Sequence, residues 1–291
     1  MASVTFPGQL GAMSVPTSVP RISGFRFSRR LRRGTAAFAL TLLASPWSRA
    51  DISVDGLYDF RHATDPRDNP NDFPVVEIKL IFPLSFGSFL LKQEIDLDGE
   101  QHNASQVYTE LSQSIKLGNL TLGGVPVLAR VGYSGGLGLY KDTTGGFYIQ
   151  NVYNLGLESA FTVRKAFCDV SVSMRYANLA KPSYDPMLTA YAGRYFFNYK
   201  LLIANSLEAW TTTNEQPSAA PGGVSDQLRG GKFSSWELES EAWYRVARHF
   251  YVGTYVRTTR NVYAISNRWL VYPSVGVRYS LDPTALDSKG Q

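Results

Sequence analysis

A side-chain pattern that repeats every second residue suits a strand, because successive side chains of a strand point to opposite faces. From Asp51 onward this period of two dominates the chain. In Cys168 to Tyr176, Cys168, Val170, Val172, Met174 and Tyr176 fall on one face and Asp169, Ser171, Ser173 and Arg175 on the other. The split recurs in Val127–Tyr133. It recurs in Leu91–Asp98, where Lys92, Glu94, Asp96 and Asp98 share a face. In Trp236–Val246, Glu237, Glu239, Glu241 and Arg245 oppose Leu238, Ala242 and Tyr244. The strands predicted on this basis are 52–60, 73–82, 87–98, 104–116, 126–136, 147–163, 167–178, 187–197, 200–213, 233–246, 249–261 and 268–281.

The connections alternate in length. Short ones fall at Pro83–Phe86, Arg164–Ala166, Asn198–Tyr199 and Ala247–Arg248, and long polar ones at Arg61–Asp72, Leu137–Gly146 and Asn214–Lys232; Leu117–Val125 is intermediate. Short turns at one rim and long loops at the other fit an all-β, transmembrane, antiparallel up-and-down β-barrel of about twelve strands, with the short turns and both termini in the periplasm. A soluble β-sandwich or lipocalin-like barrel alternates too, but its strands are often only about five or six residues long. Many strands here reach the roughly 9–11 residues that an oblique bilayer crossing takes. Aromatic residues gather near strand ends (Tyr58, Phe60, Phe82, Tyr195 to Phe197, Trp236, Phe250, Tyr251 and Trp269), as interfacial girdles require.

Residues 1–50 differ from the rest. They hold seven arginines and no acidic residue, so the formal charge of +5 becomes 22 basic against 24 acidic residues, or −2, once they are set aside. The basic excess is therefore a targeting feature and not a nucleic-acid patch. Arg29–Arg33 forms a positive n-region, Ala36–Ala44 a short apolar h-region, and Ser48-Arg49-Ala50 a cleavage site, with the start at Met1 or Met13. A mitochondrial presequence is the alternative. The expected division is a leader and signal peptide at 1–50, a barrel at 51–281 and a polar periplasmic tail at 282–291. Cys168 is the only cysteine, which excludes an intramolecular disulfide. No apolar run of roughly 18 residues marks a transmembrane helix.

Ser274-Val275-Gly276-Val277-Arg278-Tyr279-Ser280-Leu281 resembles the terminal-strand signal that the barrel-assembly machinery reads, although ten residues follow it here. Further motifs are Gly56-Leu57-Tyr58-Asp59-Phe60, Tyr108-Thr109-Glu110-Leu111 and Tyr148-Ile149-Gln150-Asn151-Val152-Tyr153-Asn154-Leu155-Gly156-Leu157. With them, residues 51–281 resemble the Tsx-type nucleoside-specific outer-membrane channels and related uncharacterised barrels. The resemblance implies a monomeric twelve-stranded channel in the bacterial outer membrane. It does not fix the solute, because a fold does not set its substrate.

If lipid takes the apolar stripes, the polar stripes line a lumen. The candidate lining residues are Glu110, Arg130, Arg175, Glu208, Trp210, Glu237, Glu239, Glu241, Trp243, Arg245, Arg257 and Arg278, with Asp55, Asp59, Glu77, Lys79, Lys92, Glu94, Asp96, Glu158 and Asp169 on the same parity. Trp210, Trp243, Tyr251, Tyr255 and Tyr272 share it, and an aromatic face there suits stacking on a nucleobase. The bland reading is that the charges pair across strands and the rings fill a narrow barrel. The expected activity is passive passage of small hydrophilic solutes. A plugged structural or adhesion barrel is the alternative, and an outer-membrane hydrolase is a weaker one. His62, His102 and His249 have no serine-centred motif beside them, and no cofactor or metal is expected.

Overall fold

The alternating runs become strands joined to their sequence neighbours by hairpins, and the last strand meets the first. The computed structural model describes residues 51–67, 69, 71–98, 103–139, 146–177, 183–214, 231–262 and 268–281. Residues 1–50, 215–230 and 282–291, and with them the expected leader and tail, lie outside these. The strands are β1 (Asp51–Asp59), β2 (Phe73–Leu84), β3 (Gly87–Asp96), β4 (Gln106–Leu122), β5 (Val125–Leu139), β6 (Gly146–Val163), β7 (Ala166–Ala177), β8 (Ser183–Phe196), β9 (Leu201–Asn214), β10 (Gly231–Arg245), β11 (Phe250–Arg260) and β12 (Trp269–Ser280). All pairings are antiparallel, and β1 pairs with β12 to close a twelve-stranded barrel. Closure removes the sheet edges that an open sheet leaves unpaired.

The sense of the alternation is inverted relative to a water-soluble barrel. Along β7, Val170, Val172 and Met174 are exposed while Ser171, Ser173 and Arg175 are buried inside. The pattern continues around the wall: Leu155 and Leu157 on β6, Leu188 on β8, Ile203 on β9, Val252 on β11, and Val271, Val275 and Val277 on β12 all face outward and exposed. A soluble monomer rarely shows so continuous an apolar belt. Tyr133, Tyr153, Tyr176 and Tyr184 stand in register on β5–β8, with successive ring centroids 5.0 to 6.2 Å apart. At the opposite rim Phe82 meets Phe89, and Phe250 meets Tyr279.

The four-residue helix α1 (Arg61–Thr64) packs the first loop onto β12 through Thr64 Oγ1, which donates to the Val271 carbonyl at 2.7 Å. One boundary differs from expectation. The strands β4 and β5 run on to a two-residue turn at Gly123-Gly124 in place of the expected connection over 117–125. Both glycines have positive φ, which that tight turn demands and glycine supplies without strain. The alternation fades there because a register shift between Lys116 and Thr121 breaks the pleat and both faces are exposed.

Candidate functional site

The inward parity of β1–β3 and β10–β12 carries ten ionisable groups at similar depth. They form one connected set. Arg278 grips Asp55 with Nε and Nη2, each at 2.7 Å, and Nη2 also donates to Glu241 at 2.7 Å. Lys79 lies 2.7 Å from Glu77 and 3.9 Å from Glu241. Lys92 reaches Glu77 at 3.2 Å and Glu239 at 3.0 Å. Arg257 binds Glu94 with Nη1 at 3.1 Å and Nη2 at 2.6 Å, and it also meets Glu237 at 3.3 Å and Glu239 at 3.2 Å. The Tyr255 hydroxyl donates to Glu239, and Ser206 Oγ does so at 3.2 Å. Bidentate and shared contacts of this kind hold each carboxylate in a single orientation.

These pairs cross the lumen. Lys92 on β3 and Glu239 on β10 are five strand intervals apart around the wall, and Glu94 and Arg257 are four apart. Twelve strands spaced about 4.8 Å apart and tilted about 40° close on a circle about 24 Å wide. A lysine and a glutamate stretched end to end span little more than half of that. The β2–β3 wall is therefore drawn toward the β10–β11 wall, and the barrel is narrowed at this height.

Below the ion pairs, toward the short turns, rings close the same side. Trp243 has no exposed surface: Arg278 lies over its ring at 4.2 Å, and its Nε1 donates to Glu241 at 2.8 Å. Leu202, Ala204, Tyr251 and Tyr255 pack with it, flanked by Phe167, Tyr191 and Tyr195. A Cβ on Gly193 would lie 2.3 Å from the tip of the Phe167 ring, so a larger residue there would have to displace that ring.

The remaining arc holds two smaller groups. Arg130 Nη1 donates to Glu158 at 3.1 Å and stands 3.9 Å from Asp169, and Ser114 Oγ donates to the same Glu158 oxygen at 2.7 Å. Higher up, Arg175 lies over the Trp210 ring at 5.5 Å and opposite Asp185 in register. Thr211 Oγ1 donates to Asp185 at 3.0 Å. Glu110, Arg130, Asp169, Glu208 and Trp210 on this arc keep partial exposure.

Of the residues expected in the lumen, Glu237, Glu239, Glu241, Trp243, Arg257 and Arg278 meet in the crossing network. Arg130, Arg175, Glu110, Glu208 and Trp210 line the other arc. Arg245 belongs to neither: its Nη2 donates at 3.4 Å to the Asn198 carbonyl in the β8–β9 turn. One expectation is corrected. Trp243 offers no face for stacking, because it has no exposed surface. Asp185 was missed because Pro186, unable to donate to a ladder, delays the expected start of β8 to residue 187. The alternation Asp185, Met187, Thr189 places it inside. Of the histidines, His62 uses Nδ1 on the Asn69 carbonyl at 2.7 Å and His249 uses Nδ1 on the Ser280 carbonyl at 2.9 Å. His102 lies outside the described residues.

Among solved structures, the chain is similar to the KdgM porin at 12% identity, covering 79% of this chain and 99% of that one, with a TM-score of 0.43. It is also similar to OmpF of Salmonella typhi in complex with daunomycin, at 9% identity over 80% and 97% of the chains, with a TM-score of 0.36. Likeness at this level fixes neither topology nor solute. No family model matches the sequence, and no curated protein does.

Proposed function

We propose that this protein is a bacterial outer-membrane channel for passive passage of small hydrophilic solutes, narrowed by the ion pairs that cross its lumen. The observation that carries the reading is the inverted wall, which is apolar and exposed outside and charged inside a closed barrel. Lipid is the solvent that such an exterior suits, and the closed ladder satisfies the backbone within it. The leader at 1–50 is removed on export, the barrel-assembly machinery inserts a monomer, and the short turns face the periplasm.

The crossing network joins six carboxylates (Asp55, Glu77, Glu94, Glu237, Glu239 and Glu241) to four cations (Lys79, Lys92, Arg257 and Arg278), a formal charge of −2. Charged linings set ion preference at a constriction. The purified, folded protein in a planar bilayer is expected to show a small conductance with a mild preference for cations. Glu237→Gln, Glu239→Gln and Glu241→Gln together should abolish or reverse that preference.

The finer reading, from the Tsx-like motifs, is that nucleosides are the solute. A base would stack on the part-exposed Trp210, not on the covered Trp243, and Glu208 two residues away can accept from ribose hydroxyls. Nucleosides should then partly block the current, and Trp210→Ala should weaken the block while Trp243→Ala leaves it. The fully buried Trp243 and the crossing pairs favour a second reading, a plugged structural barrel. A folded, inserted protein that passes neither ions nor nucleosides would establish that reading against the channel.

A further inference from the structure

Among the described residues, the charged side chains exposed at the turn rim are of one sign. Lys116 at the end of the regular β4 ladder, Arg164 and Lys165 between β6 and β7, Arg194 on β8, Lys200 before β9 and Arg248 before β11 are all exposed. None of the six enters an ion pair among the described residues. The strand carboxylates at this end, Asp51 and Asp169, sit on inward stripes and are only part-exposed; Lys116 has the inward parity of Ser112 and Ser114 but is exposed beyond the last β3–β4 pair. Two of the cations are held by other means: Lys116 Nζ donates to the Ser85 carbonyl at 3.0 Å, and Arg194 lies over the Phe196 ring at 5.0 Å.

Apolar groups stand between the cations. Phe86, Phe197, Tyr199, Phe250 and Tyr279 are exposed at this rim. The β3–β4 ladder ends at Gly87 and Ile115, and the β5–β6 ladder begins at Leu128 and Glu158. Residues 117–127 thus form a tongue whose two strands pair with each other and with neither neighbour. It exposes Leu117, Leu120 and Leu122.

We propose that this collar binds the phosphate groups of anionic phospholipids in the leaflet at the turn rim, with the leucines of the tongue seated at the acyl boundary. The inference rests on the membrane reading above. Basic residues beside a membrane-spanning segment attract anionic headgroups, and aromatic rings settle at that depth. A lipid suits the collar better than a soluble anion does. Arg164 and Lys165 stand at the turn end of the outward apolar stripes, so a phosphate held there has acyl chains that continue along β6 and β7. Arginine and lysine are both phosphate ligands, and no exposed carboxylate stands beside them among the described residues.

The test uses the folded, full-length barrel in detergent micelles, titrated with phosphatidylglycerol or phosphatidylcholine, with bound lipid counted by native mass spectrometry. Retention of phosphatidylglycerol is expected to exceed that of phosphatidylcholine about fivefold or more, and to fall with salt. Lys116→Gln, Arg164→Gln and Lys165→Gln together should cut the ratio at least about threefold. Adding Arg194→Gln, Lys200→Gln and Arg248→Gln should bring it close to one. Heat-modifiable migration shows whether each variant is folded, and these exposed positions should tolerate the change. Equal retention of the two lipids by the native barrel overturns the proposal, as does an undiminished ratio in the variants. Displacement of the lipid by inorganic phosphate would also overturn it, by assigning the collar to a soluble anion. A barrel that inserts into phosphatidylcholine vesicles and conducts, yet shows no lipid preference, loses the collar and keeps the channel. One that inserts into no vesicle loses both.

Discussion

Arg278→Met is expected to destabilise the barrel by about 3–5 kcal/mol, the range for breaking a buried ion pair from one side. Asp55 is only 1% exposed and takes both of its strong contacts from Arg278, while Glu241 shares the same Nη2. Removing the guanidinium leaves a buried carboxylate with no cation in contact. Methionine keeps the aliphatic contact with the Trp243 ring, so the loss reports mainly on charge. The double variant Arg278→Met with Asp55→Asn should regain part of the loss, because a neutral amide costs less to bury than an unpaired carboxylate. Urea unfolding midpoints of the reconstituted barrel measure both. A loss under about 1 kcal/mol would mean that water reaches Asp55, as exposed pairs are worth little. The lumen would then be wider than the crossing pairs imply.

Parity along each strand was legible in the sequence. It placed Asp55, Glu77, Lys92, Glu94, Arg257 and Arg278 inside and Val172 outside, because a strand's two faces need only the order of residues. The partners of those charges were not legible. Lys92 and Glu239 are 147 positions apart, and their meeting depends on closure, on the stagger of every intervening ladder and on the narrowing of the barrel. No local pattern encodes these. The carboxylates at 237, 239 and 241 illustrate the difference. As a stripe they suggest a lining of uncompensated negative charge, whereas folded they are shared among Lys79, Lys92, Arg257 and Arg278. The Arg278 cover on Trp243 is likewise set between β12 and β10 across β11. The tongue at 117–127 was hidden for the opposite reason. Its residues point to no single interior, so period two carries no information there, and only Gly123-Gly124 signalled a turn.

Val172→Arg should cost about 2–4 kcal/mol if the outward belt lies in a bilayer, the depth-dependent penalty for a cation near the midplane. Val172 is 60% exposed, sits midway along β7, and is flanked in register by Leu157 and Leu188, both exposed and apolar. Leu122→Arg, on the tongue beyond the ladder of β3, starts from a more exposed side chain, 75%, and should cost no more than about 1 kcal/mol, as positions near the interface do. Exposure alone predicts the reverse of a large difference. In a water-soluble barrel both arginines would be solvated, and both changes would stay within about 0.5 kcal/mol. Ser173 makes a poor lumen control: it is 6% exposed and lies against Gly156, so a long side chain there is crowded whatever the solvent. Equilibrium urea unfolding in lipid vesicles, with Val172→Arg and Leu122→Arg side by side, therefore separates burial in lipid from simple surface position. Equal small losses would place the apolar stripes in water and withdraw the membrane reading.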